Sequence, residues 1–332
     1  MNGSSLGPSP ALLPQCDMAP LSPPSRDEIS AAARRLGTRV RRTPVVEVDA
    51  ADLGVDGVDR VHLKLEFTQH GGSFKARGAL HALLTSGHAD RGVVAASGGN
   101  HGVAVAWAAR TLGVTAHIFV PEIAAPAKVA ALAALGAQVH QEGRDYSEAL
   151  AAAGRFDPAG DLATVHAYDQ VEVIAGAGTL AREIDDQVGL PDTVVLATGG
   201  GGLAGGAACW WGSAVRVVAV ETEGTPTFAA ALAAGEPVDI EVSGIGADAL
   251  GARRIGALAW TSMRAAGATS AVVSDQDVVE AQRVLWERCR LLVEPAGATG
   301  LAALRRGVVP SLGGQRVVVV LCGANTGAVP GP

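Results

Sequence analysis

The chain has 332 residues, 48 % of them hydrophobic and only 4 % aromatic, with a formal net charge of −7. This length predicts two domains, or one large domain with an inserted lobe. Scattered arginines and a negative net charge exclude a nucleic-acid-binding stripe and a basic membrane-surface helix. Gly, Arg or Asp interrupts every apolar run before it reaches about 18 residues, so we expect no membrane span.

The cysteines and the N-terminal segment bear on where the protein works. Cys16, Cys209, Cys289 and Cys322 show neither a CxxC pair nor zinc-type spacing to a histidine. We therefore expect reduced thiols and a cytoplasmic protein. Residues 1–24 are rich in Pro, Ser and Gly and lack the basic and apolar regions of a signal peptide, so we predict a disordered tail.

Ordered structure is predicted to begin at a capping box, Ser25-Arg26-Asp27-Glu28, which precedes a helix over residues 29–36. Residues 61–67 alternate as a strand, and residues 73–84 follow as a helix. Lys75 therefore lies at a strand-to-helix junction.

Strands and helices then alternate along the chain. The further predicted strands cover residues 93–96, 116–120, 137–140, 193–197, 215–220 and 316–321. The further predicted helices cover residues 100–112, 127–135, 146–153, 171–188, the stretch from the glycine run to residue 211, 274–290 and 298–306. This alternation is typical of parallel sheets covered by helices on both faces. We predict an α/β fold with two lobes, each a mostly parallel sheet flanked by helices.

Lys75 is unusual because the chain contains 23 arginines and only three lysines. A guanidinium stays protonated in proteins, whereas a desolvated ammonium can lose its proton and attack a carbonyl to form a Schiff base. Lys75 lies in Gly71-Gly72-Ser73-Phe74-Lys75-Ala76-Arg77-Gly78, where the glycines permit close approach of a ligand. A surface lysine in a first helical turn is the alternative.

A glycine run from Gly199 to Gly202 follows one predicted strand and opens a helix. Free backbone N–H groups and the helix dipole predict a phosphate site there. The pattern Gly200, Gly202, Gly205 also satisfies GxGxxG, and Glu221 lies 19 residues after Gly202. A nicotinamide dinucleotide site is therefore an alternative, as is a purely structural turn.

Two other junctions carry polar groups. The stretch Ser97-Gly98-Gly99-Asn100-His101-Gly102 offers a hydroxyl, an amide and backbone N–H groups for a carboxylate or second anion, although an ordinary helix cap is the alternative. Cys322 follows the last strand and either donates a weak hydrogen bond to a ring nitrogen or is a small buried hydrophobe. Glu294-Pro295-Ala296-Gly297 has an alternative as a pre-helical turn.

Together these stretches resemble the fold type II pyridoxal-phosphate enzymes, with the tryptophan synthase β-like fold, and among them the serine/threonine dehydratases. The resemblance runs from about residue 26 to residue 325. It rests on Lys64-Leu65-Glu66, Gly72 to Gly78, Ser97 to Gly102, Ala125 to Lys128 with Gly136-Ala137, Ile174 to Thr179, the glycine run, Glu294 to Ala298 and Cys322 to Asn325.

The resemblance implies roles for these residues. Lys75 is implied to be the catalytic residue and to hold pyridoxal 5'-phosphate as a Schiff base. The implied cofactor-binding residues are Phe74, Lys75, Asn100, Gly199, Gly200, Gly201, Gly202, Leu203 and Cys322. The implied substrate-binding residues are Ser73, Ser97, Gly98, Asn100, His101 and Gly244. A thiol at the pyridine nitrogen leaves that nitrogen unprotonated, which favours prompt loss of a β-substituent.

The implied function is α,β-elimination from L-threonine, L-serine or both, giving a 2-oxo acid and ammonia. The implied large cofactor-binding domain comprises residues 25–90 and 170–330, with a small inserted domain over residues 91–169. The resemblance also implies a small-molecule amino-acid substrate and a homodimer, and no nucleic-acid or membrane partner.

Three departures from the family narrow this interpretation. Gly98 stands where the racemases have a serine, so we expect elimination without appreciable racemisation. Thr225-Pro226-Thr227 lacks the carboxylate of metal-dependent members, so no metal is predicted. The chain also stops soon after Asn325, so we expect no regulatory domain of the kind found in feedback-inhibited threonine deaminases.

Alternatives remain within and outside the family. The nearest within the family are a threonine synthase or other β-replacing synthase and a 3-hydroxyaspartate dehydratase. An NAD(P)-dependent oxidoreductase and a binding or regulatory protein are the alternatives from other classes, and the intact Lys75 argues against the last.

Overall fold

The computed structural model describes residues 22–310 and 312–326. The predicted disordered tail lies outside these residues except for 22–24. The helices of the described part are α1 (Arg26–Leu36), α2 (Lys75–Thr85), α3 (Asn100–Leu112), α4 (Pro126–Ala134), α5 (Tyr146–Phe156), α6 (Val171–Val188), α7 (Gly202–Trp211), α8 (Thr227–Ala234), α9 (Ala247–Leu250), α10 (Ala257–Ala265), α11 (Asp275–Cys289) and α12 (Pro295–Arg305). Its strands are β1 (Val45–Asp49), β2 (Arg60–Lys64), β3 (Val93–Ala96), β4 (Ala116–Val120), β5 (Gln138–Gln141), β6 (Ala163–Thr164), β7 (Thr193–Ala197), β8 (Arg216–Thr222), β9 (Thr269–Val273) and β10 (Val317–Val320).

These strands form two sheets. The larger has the order β1-β2-β10-β7-β8-β9 and is parallel except for the antiparallel pair β1–β2. The smaller has the order β5-β4-β3-β6 and is parallel throughout. The predicted α/β class with two mostly parallel lobes is confirmed. The strands of the smaller sheet all lie between Val93 and Thr164, while the exact domain limits stay a prediction.

Strand β10 shows why the larger sheet is covered on both faces. Its four residues are all valine, and none is more than 1 % exposed. Val318 and Val320 pack into the core with residues of α6 and α7, whereas Val317 and Val319 pack into the core with residues of α11 and α12. A strand that is buried on both faces has a continuous apolar sequence, without the alternation of apolar and polar residues found in half-exposed strands.

The sequence interpretation did not include the strands β1, β6 and β9 or the four-residue helix α9, and it also missed the helices α8 and α10. The two helices lack a side-chain cap from their own N-cap residues. Their caps come from far along the chain: Glu221 accepts the N–H groups of Phe228 and Ala229, and Asp169 accepts those of Ala257 and Leu258. A carboxylate supplied from another element leaves no local start signal in the sequence.

Helices α2 and α6 approach each other at the backbone, near Lys75. A Cβ atom on Gly176 would lie 2.6 Å from the carbonyl oxygen of Arg77, and one on Gly78 would lie 2.8 Å from that of Val173. Any larger residue at either position would force the two helices apart. The two glycines therefore permit the close packing of α2 against α6, and this packing sets the position of Lys75 at the start of α2.

A buried ion network lies beside this contact. Arg77 Nε donates to Glu66 Oε1 at 2.6 Å, and Arg77 Nη2 donates to Glu183 Oε2 at 2.9 Å. Lys64 Nζ donates to the other oxygen of Glu183 at 2.5 Å. Burial disfavours charge on Arg77, but Glu66 and Glu183 outweigh it and raise the pKa of Arg77. The network joins β2, α2 and α6 through charged side chains.

Breaking this network by Arg77→Met should lower the free energy of unfolding by about 3–5 kcal/mol, because Glu66 and Glu183 would then share one fewer buried cation. Denaturant titration measures this change. The control Arg283→Ala removes an exposed pair with Glu287 and should cost less than about 1 kcal/mol. Equal effects of the two substitutions would contradict the penalty expected for leaving Glu66 and Glu183 buried without Arg77.

Candidate active site

One pocket lies where the loops that follow β3, β7 and β10 meet the first turn of α2. It contains about 430 Å³ of space not filled by protein atoms, part of which is open to solvent. Ligands of open parallel sheets bind outside the carboxyl ends of the strands, which is where these loops lie. All nine residues implied to bind the cofactor line it, namely Phe74, Lys75, Asn100, Gly199, Gly200, Gly201, Gly202, Leu203 and Cys322.

Lys75 is the first residue of α2. Its Nζ donates to the carbonyl oxygen of Ala167 at 2.6 Å and lies 5.2 Å from the centroid of the Phe74 ring. Burial of the ammonium lowers the pKa of Lys75 to about 8, although Cys322 and Glu294 oppose this shift. The free amine is thus accessible near neutral pH, as an amine nucleophile or base requires.

The glycine run forms the turn between β7 and α7. Gly201 is the N-cap residue of α7 and has φ +87°, a left-handed conformation that favours glycine. A Cβ atom on Gly200 would overlap the ring of Tyr168, so this ring packs directly on the loop. The first N–H groups of a helix have no partner within it, so the turn presents donors for an anion.

Asn100 connects the pocket to two other polar residues. Its Nδ2 donates to Glu294 Oε1 at 2.6 Å, and its Oδ1 accepts from Asn325 Nδ2 at 2.5 Å. The backbone N–H of Asn325 donates to the second oxygen of Glu294 at 3.1 Å. Burial raises the pKa of Glu294 to about 7, with Asn100 and Asn325 opposing the shift.

The other residues implied to bind substrate lie outside the lining of this pocket. Ser97 Oγ accepts the N–H of Gly99, and Gly244 lies against Asp275, whose carboxylate oxygen would be 2.7 Å from an added Cβ. His101 lines a smaller cavity that it shares with Lys75, and its Nε2 contacts the carbonyl oxygen of Val165 at 3.0 Å. Burial lowers the pKa of His101 to about 3, so its ring is neutral and donates that bond. The substrate roles of these residues stay predictions.

Cys322 lies at the wall of the pocket with its thiol turned to the backbone. Its Sγ donates to the carbonyl oxygen of Ala296 at 3.5 Å. Burial, reinforced by the nearby Glu294, raises the pKa of Cys322. The side chain is therefore a neutral thiol at physiological pH.

The side chain of Glu221 is not available to bind the ribose of a dinucleotide. Its carboxylate is fully buried and accepts hydrogen bonds from the backbone of Phe228 and Ala229 and from the hydroxyls of Thr227 and Ser270. A ribose-binding carboxylate at the end of this strand has to face a crevice. The alternative of a nicotinamide-dependent oxidoreductase therefore lacks the carboxylate that would bind the ribose of the dinucleotide.

Sequence reasoning missed three polar residues that line the pocket: Tyr168, Thr198 and Glu294. Thr198 directly precedes the glycine run, so its position at the end of a buried strand was a usable signal. Glu294 lies in a motif that carries the family resemblance, but that resemblance assigned no role to its side chain. Tyr168 reaches the loop from a segment without a motif of its own, and nothing local could have identified it.

Metal clusters and membrane-spanning helices are both absent from the described part of the chain. In residues 22–310 and 312–326 there is no group of three or more His, Cys, Asp or Glu side chains that could hold a metal ion. Within the same ranges, no helix combines the length and apolarity that crossing a membrane requires.

The chain matches a known protein family over most of its length. A family model described as "Pyridoxal-phosphate dependent enzyme" matches residues 36–323. An L-threonine ammonia-lyase of Thermotoga maritima is 33 % identical over 304 residues, which are 90 % of this chain and 75 % of that protein. A phenylserine dehydratase of Ralstonia pickettii is 34 % identical over 310 residues, covering 92 % of this chain and 94 % of that one.

A solved structure extends the similarity to three dimensions. A threonine deaminase from T.th. superposes with a TM-score of 0.85 at 33 % identity. The match covers 92 % of this chain and all of the other. The two-lobed fold is therefore shared with a threonine deaminase over nearly its whole length.

The lowered pKa of Lys75 predicts unusual reactivity in the cofactor-free protein. Its modification by a neutral acylating reagent should increase with pH around a midpoint near 8, because only the unprotonated amine reacts. Peptide mass spectrometry of pulse-labelled protein measures this, with the more exposed Lys128 as internal reference. A profile for Lys75 that does not bend between about pH 7 and 9 would contradict the assignment.

Proposed function

The chain belongs to the pyridoxal-phosphate-dependent enzymes, and we propose that it is an ammonia-lyase that converts L-threonine, L-serine or both to a 2-oxo acid and ammonia. The observation that carries this proposal is the placement of the Lys75 amine in one pocket with the glycine run and Cys322. The named activities of its relatives, threonine ammonia-lyase and phenylserine dehydratase, support the same class of reaction.

The residues of the pocket fit pyridoxal phosphate. Lys75 provides an amine with a pKa of about 8 for the carbonyl carbon. The start of α7 provides N–H donors for the phosphate, and Thr198 provides a hydroxyl that is buried and, within the described chain, has no hydrogen-bond partner. Such an orphaned group beside a helix start is what a phosphate oxygen would satisfy.

Bound pyridoxal phosphate supplies an electron sink that acidifies the α-proton of an amino acid. The protein must then supply a base, and Lys75 Nζ in its free-amine form is the group proposed to accept that proton. The carbonyl of Ala167, 2.6 Å from Nζ, orients this amine. Phe74 walls the pocket beside Nζ, and the Tyr168 ring covers Gly200. The two rings thus form apolar walls beside the amine and beside the glycine run.

We propose that the substrate carboxylate binds at the start of α3. The first N–H groups of this helix and its dipole favour an anion. Ser97 and Gly98 directly precede its N-cap residue, and Asn100 is its first residue. His101 is neutral and bonded to Val165, so its ring contributes no charge to this site. Ser73, whose buried hydroxyl lacks a partner among the described residues, is proposed to bind the substrate as well.

We also propose a cytoplasmic homodimer. Cys209, Cys289 and Cys322, the cysteines within the described residues, are all free thiols, which supports a reducing compartment. The dimer rests on the family resemblance. Light scattering of the purified protein tests it, and a monomeric mass would refute it.

A substrate panel tests the reaction. Holoenzyme mixed separately with L-threonine, L-serine, phenylserine and 3-hydroxyaspartate should release 2-oxo acid fastest from threonine or serine, as detected by coupled reduction of the product. Lys75→Ala should lower the rate by about 10²–10⁴-fold, the range for loss of a general base. Absence of 2-oxo acid from all four amino acids would refute the proposal, as would an active Lys75→Ala variant of unchanged fold.

Gly98 gives a stereochemical prediction. Wild-type enzyme incubated with L-serine should form no appreciable D-serine, because no side chain is present at position 98 to protonate the opposite face. Gly98→Ser should fold normally, since its Cβ would meet only Val120 at 3.5 Å and Lys128 at 3.9 Å, and it should acquire measurable racemisation. Chiral chromatography measures both. Appreciable D-serine formed by the wild type would contradict the prediction, because another group would then protonate the opposite face.

A further inference from the structure

Glu294 lines the pocket but does not cap its own helix. It is the N-cap residue of α12, yet its side chain makes no hydrogen bond to the first turn of that helix. The carboxylate turns instead toward Asn100 and Asn325. It is 5 % exposed and, among the described residues, is the only carboxylate in the lining of this pocket. Burial of a carboxylate is costly, and capping of its own helix does not account for the burial of this one.

The hydrogen bonds of this group have a fixed direction. The carbonyl oxygen of Gly71 can only accept, so the Asn325 atom 2.8 Å from it is the amide nitrogen. The same nitrogen lies 2.5 Å from Asn100, which therefore turns its oxygen toward Asn325. The Asn100 nitrogen must then face Glu294, at 2.6 Å. A backbone carbonyl thus sets the orientation of both amides.

This orientation determines what Asn100 offers the pocket. Its amide nitrogen carries two N–H groups, and Glu294 accepts one of them. The second N–H is left for a ligand, because Asn100 lines the pocket. With the amide reversed, the pocket would meet the oxygen atom, which repels another oxygen.

We propose that Glu294 and Asn325 are positioning residues that hold Asn100 so that it presents an N–H donor to an anionic ring oxygen of the bound cofactor. This inference rests on the proposed function, since it concerns the same pocket. Glu294 acts through Asn100, and its effect on cofactor binding therefore depends on Asn100 being present.

The charges around Glu294 are consistent with this role. Both carboxylate oxygens accept N–H groups, which suits the ionised form. Burial, with a smaller contribution from Asp248, raises the pKa of Glu294 to about 7, while the N–H donors and Lys128 oppose this shift. Lys75 and Cys322 face it across the pocket. The N–H donors of Asn100 and Asn325 lower the pKa of Glu294 and therefore favour the ionised carboxylate, which can accept both hydrogen bonds.

The substitution Glu294→Gln tests the proposal with almost no change in shape. A glutamine has one oxygen in place of two, so either Asn100 or the Asn325 N–H must face an NH₂ group. We expect the affinity for pyridoxal phosphate to fall roughly tenfold, the scale of one charge-assisted hydrogen bond. Titration of cofactor into the cofactor-free protein, followed by fluorescence, gives the dissociation constant.

A double-mutant cycle with Asn100→Ala identifies the route of the effect. If Glu294 acts through Asn100, Glu294→Gln should weaken binding no further once Asn100 is alanine. The absorption maximum of the bound cofactor should also shift in both single variants by the same sign. Asn325→Ala, which leaves Glu294 intact, should weaken binding in the same direction and serves if Glu294→Gln does not fold.

A matched control separates positioning from stability. Asp185→Asn also removes a carboxylate that accepts two N–H donors, those of Trp210 and Trp211, but Asp185 lies outside the lining of the pocket. It should leave cofactor affinity unchanged. The proposal is overturned if Glu294→Gln binds like the wild type, or if its effect multiplies with that of Asn100→Ala. A wild-type chain that binds no pyridoxal phosphate would instead refute the proposed function.

Discussion

The buried ion pairing of Arg77 is the constraint on which the site depends. Arg77 is two residues after Lys75 on α2 and is held by Glu66 next to β2 and by Glu183 on α6. Buried ion pairs add little net stability, but they penalise any arrangement that separates their partners. The helix that begins with Lys75 is therefore fixed in register against both a strand and a neighbouring helix, which is what a catalytic amine needs.

The same site also depends on backbone reaching places where side chains cannot fit. Gly176 lets α6 touch the backbone of α2, and Gly201 adopts a left-handed conformation at the start of α7. The first sets the position of Lys75 and the second exposes the donors of the glycine run. A pocket built from strand ends and helix starts gains preorganised donors at no cost in side-chain entropy.

Elements with local signals were predicted from the sequence, and elements with remote partners were not. The helix Val171–Val188 and the strand Thr193–Ala197 have the predicted bounds, because apolar periodicity and flanking glycines mark them. Helices α8 and α10 were missed because Glu221 and Asp169 cap them from other segments. In the site, Lys75 and the glycine run stood in recognisable motifs, whereas the partnership of Glu294 with Asn100 spans 194 residues and required the fold.

Attachment of the cofactor to Lys75 is the step on which the proposed chemistry rests. The most direct test is borohydride reduction of the holoenzyme, followed by proteolysis and mass spectrometry of the peptides. We expect a single pyridoxyl-modified peptide with the modification on Lys75, and none on the buried, ion-paired Lys64 or on Lys128. Modification of Lys64 or Lys128, or the absence of any modified lysine, would contradict the attachment of the cofactor to Lys75.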